Sequence, residues 1–156
     1  FNIQSFPYAY RSLPPYFVGT MASFGSAQRP PYVDKNGQIF DTNSATTEGY
    51  LTKQSAWISV WRRRYFILKG SKLFFSASPD VAPHGMIDLS TCMTVKSAEI
   101  KANKKYAIEV STSETTFYMY ADNEKDKDEW IGAIGRSIVQ ASKTYTKDEE
   151  DDSDSD

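Results

Sequence analysis

The chain has 156 residues, 40% of them hydrophobic and 14% aromatic, which suffices for one domain with a real core plus tails. No apolar run approaches the roughly 18 residues that would span a bilayer, and a single cysteine, Cys92, excludes an internal disulfide and a Cys-rich zinc site. The net charge of −2 hides an asymmetry: the last nine residues, DEEDDSDSD, carry seven acids, which leaves 18 bases against 13 acids in residues 1–147. A basic body with an acidic tail is expected to face a polyanion.

Residues 1–46 are rich in Pro, Ser, Gly, Asn and Tyr without a sustained period, so an irregular N-terminal segment is expected there. Phe1 opens the chain, and Met21-Ala22-Ser23 would serve as a natural start, so residues 1–20 are expected to lie outside the functional protein. From Thr47 onward, short strands are predicted at 47–54, 61–69, 72–77, 85–89, 92–96, 105–111 and 115–121, separated by Gly, Ser, Asn and Pro signals. The period then switches: Trp130, Ile131, Ile134 and Ile138 recur at helical spacing, after an Asn123–Asp126 capping arrangement. The fold class that follows is mainly β, a seven-stranded antiparallel barrel or sandwich capped by one C-terminal helix. Trp130 is the expected plug for one open end. The domain is placed at residues 47–143, and residues 144–156 are expected to form a disordered acidic tail.

Chemistry concentrates in KQSAWISVWRRRYFIL, residues 53–68. Strand alternation puts Leu51 with Lys53 on one face, and Arg62 and Arg64 with Phe66 and Leu68. Leu51, Phe66 and Leu68 should point inward, so Lys53, Arg62 and Arg64 extend that inner face to the rim and meet at the loop end of the hairpin. Converging cations repel unless an anion sits between them, and phosphate suits forked Arg donors and a mobile Lys. Arg63, on the opposite face, reads as a solvated edge. The uncharged loop beside the cations presents Trp57, Ile58 and Val60. Trp favours the bilayer interface, so this tip is expected to insert into the membrane while the cations grip a head group; the alternative is that Trp57 folds back on the domain or packs on the N-terminal segment.

GYLTKQSAWISVWRRRYFILKGSKLFF, followed by DEWIGAI in the lone helix, resembles the pleckstrin homology (PH) domain family over residues 46–143. LTKQ, WRRR, CMTVKSAE and IGRSIVQ are closer still to small plant proteins made of little more than one PH domain. The resemblance implies phosphoinositide binding, with the head group held by Lys53, Arg62 and Arg64. It also implies departures from the tightest binders. The first loop lacks a Lys, Phe74 stands at the apparent place of a phosphate-binding Tyr, and His84 replaces an Arg before Gly85. Fewer donors imply a less phosphorylated head group or a modest affinity, and a monophosphoinositide is favoured. His84, the one histidine, would add pH sensitivity, since a neighbouring phosphate favours its charged form; the alternative is a loop histidine after Pro83 with no role.

The reading that results is a cytoplasmic, reversibly membrane-associated adaptor module, monomeric, for signalling or trafficking. The alternative is a PH-fold protein–protein interaction module with little lipid selectivity. One His, one Cys, no P-loop and no G-x-G-x-x-G point away from an enzyme, a metal or a cofactor. The compact basic cluster, not a stripe, points away from nucleic acid. The acidic tail reads as a solubiliser, or as a competitor for the basic pocket tunable at Ser153 and Ser155.

Overall fold

The computed structural model describes residues 28–150, with side chains described through Lys143. Nine strands and two α-helices follow in chain order. The strands are β1 (Tyr32–Val33), β2 (Ile39–Phe40), β3 (Thr47–Gln54), β4 (Trp61–Lys69), β5 (Lys72–Ser76), β6 (Gly85–Asp88), β7 (Cys92–Ser97), β8 (Ala107–Thr112) and β9 (Thr116–Tyr120). A 3-10 turn, Leu89–Thr91, precedes β7; helix α1 (Glu99–Ala102) lies between β7 and β8, and α2 (Glu124–Glu150) follows β9. Strands β3 to β9 form one seven-stranded sheet in the order β6-β5-β4-β3-β9-β8-β7, antiparallel throughout.

The sheet is not a closed barrel. Strands β6 and β7 stand at its two edges, joined through the 3-10 turn. Helix α2 packs against β7, β8 and that turn. Gly70, at φ +57°, supplies the left-handed corner that joins β4 to β5 with Lys69 opposite Lys72. Asn123 caps α2 as its spacing suggests: its Oδ1 accepts from the Asp126 amide at 2.9 Å, and its Nδ2 donates to the Asp126 carboxylate at 2.8 Å.

Alternation places the core on one side of the sheet. Leu51, Phe66, Leu68, Leu73, Ile87, Ile108, Val110 and Met119 are buried together with Trp130 and Ile134 of α2. Trp130 stands edge-on to Phe66 at 6.4 Å between ring centroids. It lies over Gly49, where even a Cβ would come within 3.8 Å of its ring. The indole thus occupies space that a larger residue on β3 would need.

Residues ahead of Thr47, expected to be irregular, contain a miniature hairpin. Tyr32 pairs with Phe40 and Val33 with Ile39 around a turn in which Asp34 Oδ1 accepts from the Asn36 and Gln38 amides. Tyr32 and Phe40 stack on Phe74 at 5.5 and 6.0 Å, on the outer face of β5. This explains why Phe74 and its cross-strand partner Ile67 are buried although they point away from the main core. Lys69 fastens the following segment by ion-pairing with Asp41 at 2.9 Å and donating to the Asn43 carbonyl at 2.6 Å. The Lys69 hydrogen bond holds the Asp41 carboxyl far below its usual range. At the other end, α2 continues to Glu150 instead of stopping near Lys143. The sequence TYTKDEE has no Pro or Gly to break it. Residues 1–20, and the two serines Ser153 and Ser155, lie outside the described residues.

Candidate functional site

The β3–β4 hairpin puts Lys53 opposite Arg62 and Leu51 opposite Arg64, so one inner face runs from the apolar core out to three cations. A cleft of about 240 Å³ opens there, walled by Lys53, Arg62 and Arg64 on the hairpin and by Phe75 and His84 across from it. Ser55, Ala56 and Trp57 of the β3–β4 loop complete its rim.

Lys53 is half-buried, with its ammonium 5.1 Å from the centre of the Phe75 ring and 5.5 Å from that of Phe117. It donates to the Gln54 carbonyl at 3.2 Å. Two ring faces orient the charge and partly replace its lost water. Burial, reinforced by the charge of Arg64, holds the Lys53 pKa below its ordinary value. Arg64 donates to the Arg63 carbonyl at 2.9 Å. Among the described residues, no carboxylate pairs with Lys53, Arg62 or Arg64, and none lines the cleft.

Arg63 points the other way. It makes a two-pronged ion pair with Asp122 at 2.8 and 3.0 Å and lies 4.7 Å over the Tyr50 ring. The alternation that separates it from its neighbours therefore divides a structural arginine from two that face the cleft.

His84 closes the cleft from the β5–β6 loop. Its ring meets Phe75 edge-on at 5.2 Å, and its amide donates to the Phe75 carbonyl at 3.0 Å. Partial burial, followed by the charges of Arg64 and Lys53, pulls the imidazole pKa below its ordinary value. The next residue, Gly85, leaves room for the Phe75 ring, which would have to shift to admit a Cβ there. Phe75 forms the apolar floor, and sequence reasoning overlooked it in favour of Phe74. Phe74 lies instead on the outer face under Tyr32 and Phe40. The signal was present: Phe75 shares the Leu73 face of β5, and Leu73 is a core residue.

The β3–β4 loop is closed by a hydrogen bond from the Ser55 amide to the Val60 carbonyl at 2.8 Å. From its tip Trp57 projects 95% exposed, with Ile58 60% and Val60 43% exposed, so Trp57 is not folded back on the domain. A second, larger cleft of about 350 Å³ at the far edge also carries lysines, Lys96 and Lys101. These sit 3.8 and 2.9 Å from the buried carboxylate of Glu109. Its charge is internally neutralised, and that of the hairpin cleft is not. Trp130 lies in neither cleft.

A family model described as "PH domain" matches residues 45–139, the whole seven-stranded sheet and most of α2. The chain belongs to the PH domain family. Its PH domain is similar to Pleckstrin homology domain-containing protein 1 of Arabidopsis thaliana, at 43% identity over 130 residues covering 80% of this chain and 89% of that protein. A RAC family serine/threonine-protein kinase homolog of Dictyostelium discoideum is 32% identical, but the likeness covers 54% of this chain and only 19% of that protein. Among solved structures, the C-terminal PH domain of pleckstrin in complex with D-myo-Ins(1,2,3,4,5)P5 matches at 28% identity and a TM-score of 0.50. That match covers 60% of this chain and 97% of the pleckstrin domain. The same domain bound to D-myo-Ins(1,2,3,5,6)P5 gives 26% identity and a TM-score of 0.53, over 60% of this chain and 95% of that one. Among the described residues, no helix is long and apolar enough to cross a membrane, and no cluster of His, Cys, Asp and Glu is grouped to hold a metal ion.

Proposed function

We propose that this PH domain binds a phosphoinositide in the hairpin cleft, with Lys53, Arg62, Arg64 and His84 around the head-group phosphates. Trp57, Ile58 and Val60 enter the bilayer beside it. The observation that carries the reading is the set of cations around one cleft with no carboxylate to neutralise them. Such a set is costly in the free protein: burial first, and then the charge of Arg64, lower the Lys53 pKa, and an anion in the cleft relieves the repulsion. The inositol phosphates bound by the pleckstrin domain add support by similarity.

Few donors surround the cleft, which favours a head group with one phosphate beyond the diester. Phe75 adds an apolar wall to the cleft, and its ring and that of Phe117 hold the Lys53 ammonium in place. Loop and cleft open together at the same end of the hairpin, so one approach to a bilayer engages both. The module works as a reversible membrane-targeting adaptor without catalytic chemistry of its own.

Co-sedimentation with phosphatidylcholine vesicles, each doped with one phosphoinositide, tests the proposal. Selective binding that falls on changing Lys53, Arg62 or Arg64 to Ala is expected. Weak, unselective binding that survives all three changes would transfer the function to a protein partner.

A further inference from the structure

The β5–β6 loop, residues 77–84, carries the His84 wall of the cleft, with Pro83 buried and Asp80, Val81 and Ala82 exposed. Ser76 Oγ donates to the Ser78 carbonyl at 2.7 Å, and the His84 amide bonds Phe75. A further tie, at the Pro79 end of the loop, comes from outside the family-matched residues 45–139. Arg29 reaches across from the N-terminal segment, and its Nε donates to the Pro79 carbonyl at 2.6 Å. The same guanidinium donates through Nη1 to the Thr42 carbonyl at 2.8 Å and through Nη2 to Glu48 at 3.2 Å, beside the Tyr65 ring at 5.7 Å. Its side chain is only 9% exposed. Both ends of its backbone are fixed to Asn43: the Arg29 amide donates to Asn43 Oδ1 at 2.9 Å, and Asn43 Nδ2 donates to the Arg29 carbonyl at 3.1 Å.

A guanidinium that is nearly desolvated is retained at a net cost unless its donors are used, and here every nitrogen of the fork has an acceptor. Those acceptors belong to three separate pieces of chain: the segment before β3, β3 itself and the β5–β6 loop. The hairpin of β1 and β2 and the Lys69–Asp41 pair press the same segment onto the outer face, so the anchor point is itself fixed. We infer that Arg29 is a positioning residue that pins the β5–β6 loop and so sets the His84 wall of the cleft. The ligand-binding unit then begins at Arg29, ahead of the family-matched residues. This inference rests on the phosphoinositide reading for its effect on binding, but not for the brace itself.

A lysine at position 29 keeps the charge facing Glu48 but cannot bond Pro79, Thr42 and Glu48 at once through a planar fork. Arg29→Lys, Arg29→Ala and Asn43→Ala should therefore loosen the loop while the β-sheet core stays intact. Backbone 15N relaxation well below the melting temperature should show order parameters at Asp80, Val81, Ala82 and His84 falling from about 0.85 toward about 0.6. Binding to the monophosphoinositide-doped vesicles should weaken about 3- to 10-fold as the cost of ordering the loop is transferred to the ligand. Amide chemical shifts of the core residues Leu51, Phe66 and Ile108 in Arg29→Lys should match wild type even if the melting temperature falls, which separates a loosened loop from general unfolding. Unchanged order parameters in both Arg29 variants would overturn the inference, as would a loosened loop with undiminished vesicle binding. A wild type that binds none of the vesicles would sink the lipid reading alone, and the order parameters would then decide the brace.

Discussion

Replacing Lys53 by Met should abolish most head-group binding without weakening the fold. The ammonium lies between two aromatic rings with no carboxylate partner, and its pKa is lowered first by burial and then by Arg64. Losing one charge-assisted phosphate contact costs about 1.5–3 kcal/mol, or roughly 10- to 150-fold in affinity. On the stability side, Met gives up a cation–ring contact of about 0.5–1 kcal/mol but gains sulfur–ring contact of similar size. Desolvation and repulsion of the charge are also relieved, so stability should stay within about 0.5 kcal/mol of wild type or rise. The sign of the pH dependence follows from the lowered pKa. The folded protein holds this proton less tightly than the unfolded chain, so the charged form costs stability below the folded pKa. That cost fades as pH rises towards the ordinary lysine value, and the advantage of Lys53→Met should be largest near neutrality and shrink in alkali. Urea unfolding at several pH values and calorimetry with a soluble inositol phosphate would check both halves. A variant that binds as well as wild type, or that loses more than about 2 kcal/mol of stability, would refute the reasoning.

Trp57→Ala should reduce vesicle binding by about 10-fold or more while leaving affinity for soluble inositol phosphate nearly unchanged, because the ring is exposed and free to insert; equal losses by co-sedimentation and calorimetry would count against insertion. Head-group binding should strengthen as pH falls below neutrality, since phosphate raises a His84 pKa that burial and the neighbouring cations depress, and His84→Ala should flatten that profile. In the free protein the same depressed pKa makes stability fall as pH drops below about 6.5, where the unfolded chain takes up the proton first, and His84→Ala should remove that loss in thermal melts. Gly85→Ala drives a methyl into the Phe75 ring, so about 1–3 kcal/mol of stability should be lost in urea melts, with weaker binding as the cleft floor shifts. Unaltered urea melts of Gly85→Ala would mean that the ring yields freely.

Most of the β architecture was legible because period-two alternation and turn residues coincide. Thr47–Gln54 and Trp61–Lys69 are set off by Ser55 and Gly70, and their alternation alone placed Lys53, Arg62 and Arg64 on one face. What remained hidden has local physical causes. The pair Phe74-Phe75 is apolar on both faces, because the N-terminal hairpin buries one and the cleft uses the other, so alternation there had no polar partner to read against. Two-residue strands such as Tyr32–Val33 are too short to show any period, and their hydrogen-bonding turn is the only local clue. Helix α1 is a single turn closed by Asn103 in the left-handed region, below the length at which helical spacing becomes visible. The continuation of α2 lacks an apolar stripe, and only the absence of a breaker signals it. Arg29 gave no sequence signal, since its acceptors, two backbone carbonyls and the Glu48 carboxylate, are brought together by the fold.

Amide chemical-shift mapping during titration with a soluble monophosphoinositide head group tests the central claim most directly. The largest shifts should fall on Lys53, Arg62, Arg64, Phe75 and His84, with Lys96, Lys101 and Glu109 of the neutralised cleft unmoved. Shifts centred on Lys96 and Lys101, or no shifts at any ligand concentration, would contradict a head-group site in the hairpin cleft.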